Sequence, residues 1–189
     1  MNIVFATNNS NKIKEVQALL PSHIRLVSLE EIGCVEDIPE TQYTIEGNAI
    51  QKADYIKEHY GLDCFADDTG LEVMALDGAP GVYSARYAGP QRNADDNMNL
   101  VLSELASKDN RAARFKTVIA MHFQGNFITF EGICEGEITT KKIGTGGFGY
   151  DPIFQPKSYG KTFAEISLEE KNRIGHRGKA ISKLVTYFK

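Results

Sequence analysis

Phe65-Ala66-Asp67-Asp68-Thr69-Gly70-Leu71 carries a short apolar run straight into two adjacent carboxylates, a hydroxyl and a glycine. The pattern reads as a strand delivering an active-site loop. Neighbouring side chains on an extended backbone point to opposite faces, so Asp67 and Asp68 are expected to take different roles, one facing a cleft and one bracing the turn. The oxygens of such a quartet suit a hard cation such as Mg²⁺, which takes one or two carboxylates together with substrate phosphates. The competing reading is a plain Asx-type turn capped by Thr69 and closed by Gly70.

Upstream, Asn2 to Ala6 reads as a strand and leads through Thr7-Asn8-Asn9-Ser10-Asn11-Lys12 into a helix with Ile13, Val16, Leu19 and Leu20 on its apolar side. Strand, polar loop and helix start are the parts from which α/β proteins build anion sites, and this loop offers amides, hydroxyls and one ammonium. It lacks the glycines and the Gly-Lys-Ser/Thr ending of a P-loop, and an Asn/Ser helix cap is the alternative. Arg25 to Leu29 reads as a second strand and Glu30 to Thr41 as an acidic loop. A helix then runs from Thr44 to about Tyr60, with Ile45, Ala49, Ala53, Ile56 and Tyr60 near one stripe. Asn48 and Lys52 are i,i+4 neighbours off that stripe, a polar pair or a solvated face.

Downstream, Leu71 to Leu76 alternates like a strand, and an aromatic loop over 82–90 carries Arg86. A helix over about Asp95 to Ser107 is expected to bury Leu100, Val101, Leu102 and Leu105. Phe115 to Phe123 and Phe127 to Ile138 form a hairpin about Gln124-Gly125-Asn126. Gly144-Thr145-Gly146-Gly147-Phe148-Gly149-Tyr150-Asp151 follows, where glycines permit close backbone approach and leave Phe148 and Tyr150 exposed. A final helix packs Ile181, Leu184, Val185 and Phe188 inward. His176-Arg177 near its start is unfavourable for the helix dipole and calls for a compensating anion or carbonyl.

The chain has 189 residues, 42% of them hydrophobic and 24% charged, with a net charge of −4. This describes one domain over 1–189, with no basic surface for nucleic acid, no apolar run of membrane length and no basic leader, so the cytoplasm is expected. Cys34, Cys64 and Cys134 lack Cys-x-x-Cys spacing and read as buried thiols in a reducing compartment.

Together these stretches resemble the inosine/xanthosine triphosphate pyrophosphatases, which clear deaminated purine nucleotides. The resemblance rests on Phe5-Ala6-Thr7-Asn8-Asn9 with Lys12, Glu46-Gly47-Asn48-Ala49 with Lys52, Ala66 to Leu71, Ala79 to Tyr87, Gly146 to Phe154, and Lys171 with His176-Arg177. It implies a mixed α/β fold with a long twisted sheet, helices on both faces, two lobes with a cleft between, and a homodimer. It also implies Mg²⁺-dependent hydrolysis of ITP, dITP, XTP or dXTP to the monophosphate and pyrophosphate, by water attack on the α-phosphorus. Asp68 is then the base and a metal ligand, with Glu40 or Glu46 as second acidic partner. Thr7, Asn8, Asn9, Ser10, Asn11, Lys12, Lys52 and Thr69 hold phosphates. Phe148, Gly149, Tyr150, Asp151, Lys171, His176 and Arg177 contact the rest of the substrate, with Phe148, Lys171, His176 and Arg177 near the base.

This chain has Thr7-Asn8-Asn9 where such proteins commonly have Thr-Gly-Asn, which asks Asn8 to accept a glycine's backbone geometry. They commonly carry Ser at the positions of Thr69 and Gly175. A septum-inhibitor-type pyrophosphatase would show Ser-x-Ser-x-Arg-Arg after the first strand, which is missing. A non-hydrolytic nucleotide sensor would keep Lys12 and lose Asp68. A paired-carboxylate glycosidase would want sugar-stacking aromatics, and the chain has no Trp.

Overall fold

The computed structural model describes residues 1–188, the side chain of Glu15 aside. The elements run β1 (Asn2–Phe5), α1 (Ser10–Gln17), β2 (Arg25–Val27), α2 (Ile45–Tyr60), β3 (Cys64–Val73), β4 (Pro80–Gly81), α3 (Ala94–Glu104), β5 (Ala112–Phe123), β6 (Asn126–Ile138), β7 (Phe154–Pro156), α4 (Leu168–Ile174) and α5 (His176–Tyr187). The described strands form one seven-stranded sheet of order β2-β1-β3-β5-β6-β7, with β4 paired to β3. β1 runs parallel to β2 and β3, while β4 and β7 pair antiparallel with β3 and β6, so the sheet is mixed, as expected. By contacts the chain forms two compact units: Met1–Asp68 with Thr117–Gly132 and Arg177–Lys189, and Thr69–Lys116 with Ile133–His176.

The first unit is organised by strict alternation. Val4, Ala6, Cys64, Ala66, Val118 and Ala120 pack with Ile45, Ala49, Ala53 and Ile56 of α2. Their odd-numbered neighbours Ile3, Phe5, Phe65, Ile119 and Met121 pack with Val16 of α1 and with Ala180, Ile181 and Leu184 of α5. Each even position therefore belongs to the α2 face and each odd one to the α1–α5 face. Phe5 and Phe65 stack with ring centroids 4.5 Å apart, and each fully buried side chain of this size contributes roughly 1.5–3 kcal/mol. Thr44 caps α2 by accepting from the Gly47 amide at 2.9 Å, and Gly61 closes it in the left-handed region at φ 68°. Burial on α2 includes Asn48 and Lys52. The solvated-face alternative for these two is thus excluded, because the buried stripe is wider than the apolar residues alone indicate.

The second unit surrounds Leu71, Val73, Met98, Val101, Leu105, Phe115, Ile138, Ile153, Phe154 and Phe163. Its α3 buries Asn97 and Met98 beside Val101, whereas Leu100 and Leu102 are half-buried, a register rotated from the apolar run. Met74–Leu76 form a single 3₁₀ turn instead of extending β3. Ser167 and Glu170 make a reciprocal capping box that starts α4, a helix absent from the sequence expectations although the Ser-x-x-Glu signal is present.

Several expectations are corrected. The Asp67-to-Gly70 segment is neither a loop nor an Asx turn, because β3 continues through it to Val73. Non-glycine residues with positive φ among those described are Asp77, Arg92, Gln124 and Ser158, so Asn8 does not occupy a glycine-type conformation. Tyr150 is not exposed: it is 5% accessible and its hydroxyl donates to the Ser84 carbonyl at 2.7 Å. Asn97 Nδ2 donates to the Ala85 carbonyl at 3.2 Å, and Ser84 Oγ accepts from the Leu71 amide at 2.9 Å, making one buried polar network. Burial pushes the Tyr150 phenol well above its ordinary pKa, consistent with a donor inside an apolar shell. Tyr150→Phe is expected to cost about 1 kcal/mol, since it removes one buried hydrogen bond and leaves the Ser84 carbonyl with its longer 3.4 Å bond from Asn97 Nδ2. Urea unfolding followed by far-UV circular dichroism would measure it, and an unchanged midpoint would remove the network from the account of the fold.

Candidate active site

Alternation along β3 separates the two adjacent carboxylates onto different helices. Asp67, on an odd position, faces α1 and α5: its Oδ1 lies 3.0 Å from Lys12 Nζ and its Oδ2 3.4 Å from Arg177 Nε. Asp68, on an even position, faces α2, with Oδ1 3.7 Å from Lys52 Nζ. The same ammonium lies 2.6 Å from Glu40 Oε1. Arg177, Lys12 and Lys52 thus meet Asp67, Asp68 and Glu40 in two linked chains of opposite charges. Arg177, which follows directly on the first residue of α5, finds in Asp67 the compensating anion that the helix dipole calls for.

The environments drive the two aspartates apart. Burial opposes ionisation of Asp67, yet Lys12, Arg177 and Lys52 outweigh it and hold the carboxyl at about 2. At Asp68 burial prevails over the offsetting Lys52 and Lys12, with Glu40 and Asp67 adding to it, and the pKa is raised. Burial likewise lowers Lys12 despite Asp67. It fails to lower Lys52, where Asp68, Glu40 and Asp67 together raise the pKa. The adjacent carboxyls are thus pushed in opposite directions, Asp67 toward its anion and Asp68 toward its protonated form.

The Thr7-to-Lys12 loop has partly the capping function weighed above. Asn9 is the N-cap of α1 and its side chain accepts from the Asn11 and Lys12 amides at 3.0 and 3.2 Å. Thr7 Oγ1 accepts from the Asn9 amide at 3.2 Å. Asn8, Asn9, Ser10 and Asn11 are exposed, while Lys12 turns inward to Asp67. Glu46 is exposed on the first turn of α2, whereas Glu40 shares Lys52 with Asp68. No three His, Cys, Asp or Glu side chains converge as a metal cage among the described residues. Two carboxylates meeting at one cationic point fit a hard divalent ion that completes its shell with phosphate oxygens and water.

In the second unit the glycine-rich segment folds around Asp151. Its buried Oδ2 accepts from the Phe148 amide at 2.8 Å and from Lys171 Nζ at 2.7 Å. A Cβ on Gly147 would overlap that carboxylate, and φ there is 70°, so glycine is required on both counts. Lys171 Nζ stands 4.5 Å from the centroid of the half-buried Phe148 ring. The His176 ring stacks on Phe115 at 4.5 Å. Phe148, Asp151, Lys171 and His176 thus belong to this unit, as do Thr69 on β3, Gly149 and the buried Tyr150, whereas Arg177 belongs to the first. Asp67 is the member that sequence reasoning left out of the site. Its parity was readable from the sequence, but its place opposite Lys12 follows only from the fold that puts α1 and α5 on the odd face.

Residues 3–187 match the model of the Ham1 family. The chain belongs to the Ham1 family. Among Ham1 relatives it is 63% identical to a dITP/XTP pyrophosphatase of Flavobacterium johnsoniae, covering 98% of this chain and 96% of that one. It is 60% identical to the corresponding protein of Flavobacterium psychrophilum over the full length of both. The structure of the Staphylococcus aureus Ham1 protein superposes with a TM-score of 0.92 at 39% identity, covering 100% of this chain and 98% of the other.

Proposed function

We propose that residues 1–189 act as one pyrophosphatase domain that hydrolyses ITP, dITP, XTP and dXTP to the monophosphate and pyrophosphate. The observation that carries the reading is the split of adjacent carboxyls, Asp67 set against Lys12 and Arg177 while Asp68 meets Glu40 at Lys52. The full-length identity to proteins named dITP/XTP pyrophosphatases supports the substrate class.

Asp68 orients the attacking water and takes its proton, with its carboxylate held by Lys52. Lys12, Lys52 and the polar groups of Thr7 to Asn11 with Thr69 receive the phosphates, Lys12 exchanging Asp67 for phosphate oxygen. Asp67 with Arg177 keeps Lys12 aimed. Phe148 receives the base, with Lys171 as the donor beside it. Glu40 and Asp68 would hold Mg²⁺, with Glu40 preferred over Glu46 because it converges with Asp68 on Lys52. When bound, that ion supplies a lowered pKa for water and neutralises phosphate charge. The enzyme is read as a cytoplasmic homodimer; no helix of the described residues is long and apolar enough to cross a membrane.

Attack at the α-phosphorus requires that pyrophosphate leave in one piece, and a divalent ion held by Glu40 and Asp68 would require that turnover stop on chelation. Product analysis by ³¹P NMR with ITP is expected to show pyrophosphate and IMP. Orthophosphate and IDP as first products would refute the reading.

A further inference from the structure

We propose that the Lys52 ammonium occupies the carboxylate oxygens a divalent cation needs, so that Lys52 is a gatekeeper residue making the protein bind metal weakly until a phosphate draws the ammonium away. The inference rests on the metal-site reading above. Lys52 Nζ lies 2.6 Å from Glu40 Oε1 and 3.7 Å from Asp68 Oδ1, and the lysine is only 6% accessible. It is therefore a buried counter-ion set between the largely buried Asp68 and the half-exposed Glu40. Lys52 is anchored on α2 one turn after buried Asn48, whose Oδ1 accepts from the Gln42 amide at 2.9 Å, and this ties the segment leading from Glu40 to the same helix.

Local charge makes the competition explicit. Lys12, Lys52 and Arg177 balance Glu40, Asp67 and Asp68, three against three, so these six groups carry no net charge to attract a cation. A divalent ion reaching Glu40 and Asp68 must displace a buried ammonium or share oxygens with it, and the displaced charge needs a new partner. A triphosphate supplies that partner. Metal and nucleotide then favour each other by mutual linkage: phosphate on Lys52 releases the carboxylates, and metal on the carboxylates releases Lys52 for phosphate. A free cation gains little alone, which biases the protein toward the metal–nucleotide complex as the species it captures.

The test is Mn²⁺ binding to the nucleotide-free protein, followed by electron paramagnetic resonance of free Mn²⁺. Lys52→Met is expected to tighten Mn²⁺ binding about tenfold or more, because two carboxylates lose their internal competitor. Lys52→Arg, which keeps the charge, should stay weak. Adding Glu40→Gln to Lys52→Met should abolish the gain. Lys12→Met removes the same unit charge from a residue paired to Asp67 instead, and should tighten binding by less than about threefold. Equal gains from Lys12→Met and Lys52→Met would mean a general field effect, and no gain from Lys52→Met would mean no competition; either overturns the proposal. Lys52→Gln serves the same purpose if the Met variant is poorly folded. Pyrophosphate release from ITP by the unmodified protein is measured in parallel. Turnover without the Lys52 effect fails the proposal alone, whereas absent turnover fails the functional reading.

Discussion

Asp68→Asn is expected to lower kcat for ITP by about 10²–10⁴ while leaving the fold intact, because the amide keeps the carboxylate's shape and loses its proton-accepting capacity and charge. Its effect on stability should be neutral or favourable. Burial raises the Asp68 pKa, so the folded protein disfavours the ionised form, and the amide removes that cost. Asp67→Asn should reverse the ordering. Asp67 is held at about 2 by Lys12, Arg177 and Lys52, so its charge stabilises the fold wherever pH exceeds the ordinary carboxylate value. That contribution disappears as pH falls through about 2. Removing the charge leaves two cations without their shared anion, a loss on the order of 3 kcal/mol. Single-turnover rates and thermal midpoints measured on both variants check the pair. A larger rate loss at Asp67 than at Asp68, or a larger drop in midpoint at Asp68, would exchange the roles assigned here.

The opposite facings of these neighbours were legible from period two alone, because β3 is extended through both. What each faces was not legible. That required knowing that α1 and α5 share the odd face and α2 the even one, which is a property of strand order rather than of any local window. The same limit explains Lys52. On α2 it looks like a polar residue beside the apolar stripe, and only burial against Glu40 and Asp68 shows that the helix presents a charge inward. Tyr150 failed for the converse reason. Four glycines around it suggest an open loop, yet Asp151 turns inward to collect the Phe148 amide and Lys171, and the chain closes around that carboxylate. Buried charge networks defeat pattern reading because each member is tolerable only in the presence of the others. The hairpin was legible in place but not in its bounds: its turn is the two residues Gln124 and Gly125, at φ 48° and 80°, where three were expected, and β5 begins at Ala112 and not at Phe115.

Base selectivity is expected to be large and to pass through Lys171. Hypoxanthine presents a carbonyl at C6 where adenine presents an amine, and an ammonium has three donors and no acceptor. Lys171 Nζ is fixed by Asp151 at 2.7 Å and stands over the Phe148 ring at 4.5 Å, so a base against Phe148 meets a donor whose position is already set. A carbonyl satisfies that donor. An amine offers that donor no acceptor, which forgoes a hydrogen bond to a charged group at about 1–3 kcal/mol, so kcat/KM for ITP should exceed that for ATP by roughly 10–10². Lys171→Met should therefore narrow the ITP-to-ATP ratio by about tenfold or more, lowering ITP turnover much more than ATP turnover. The ratio is the quantity to measure. Loss of Lys171 also deprives buried Asp151 of its counter-ion and loosens the Phe148 segment, and that damage falls on both substrates alike. Parallel measurements with ITP, XTP and ATP separate the two effects. If all three substrates lose activity by one factor, Lys171 supports the fold of the glycine-rich segment and the base is read elsewhere.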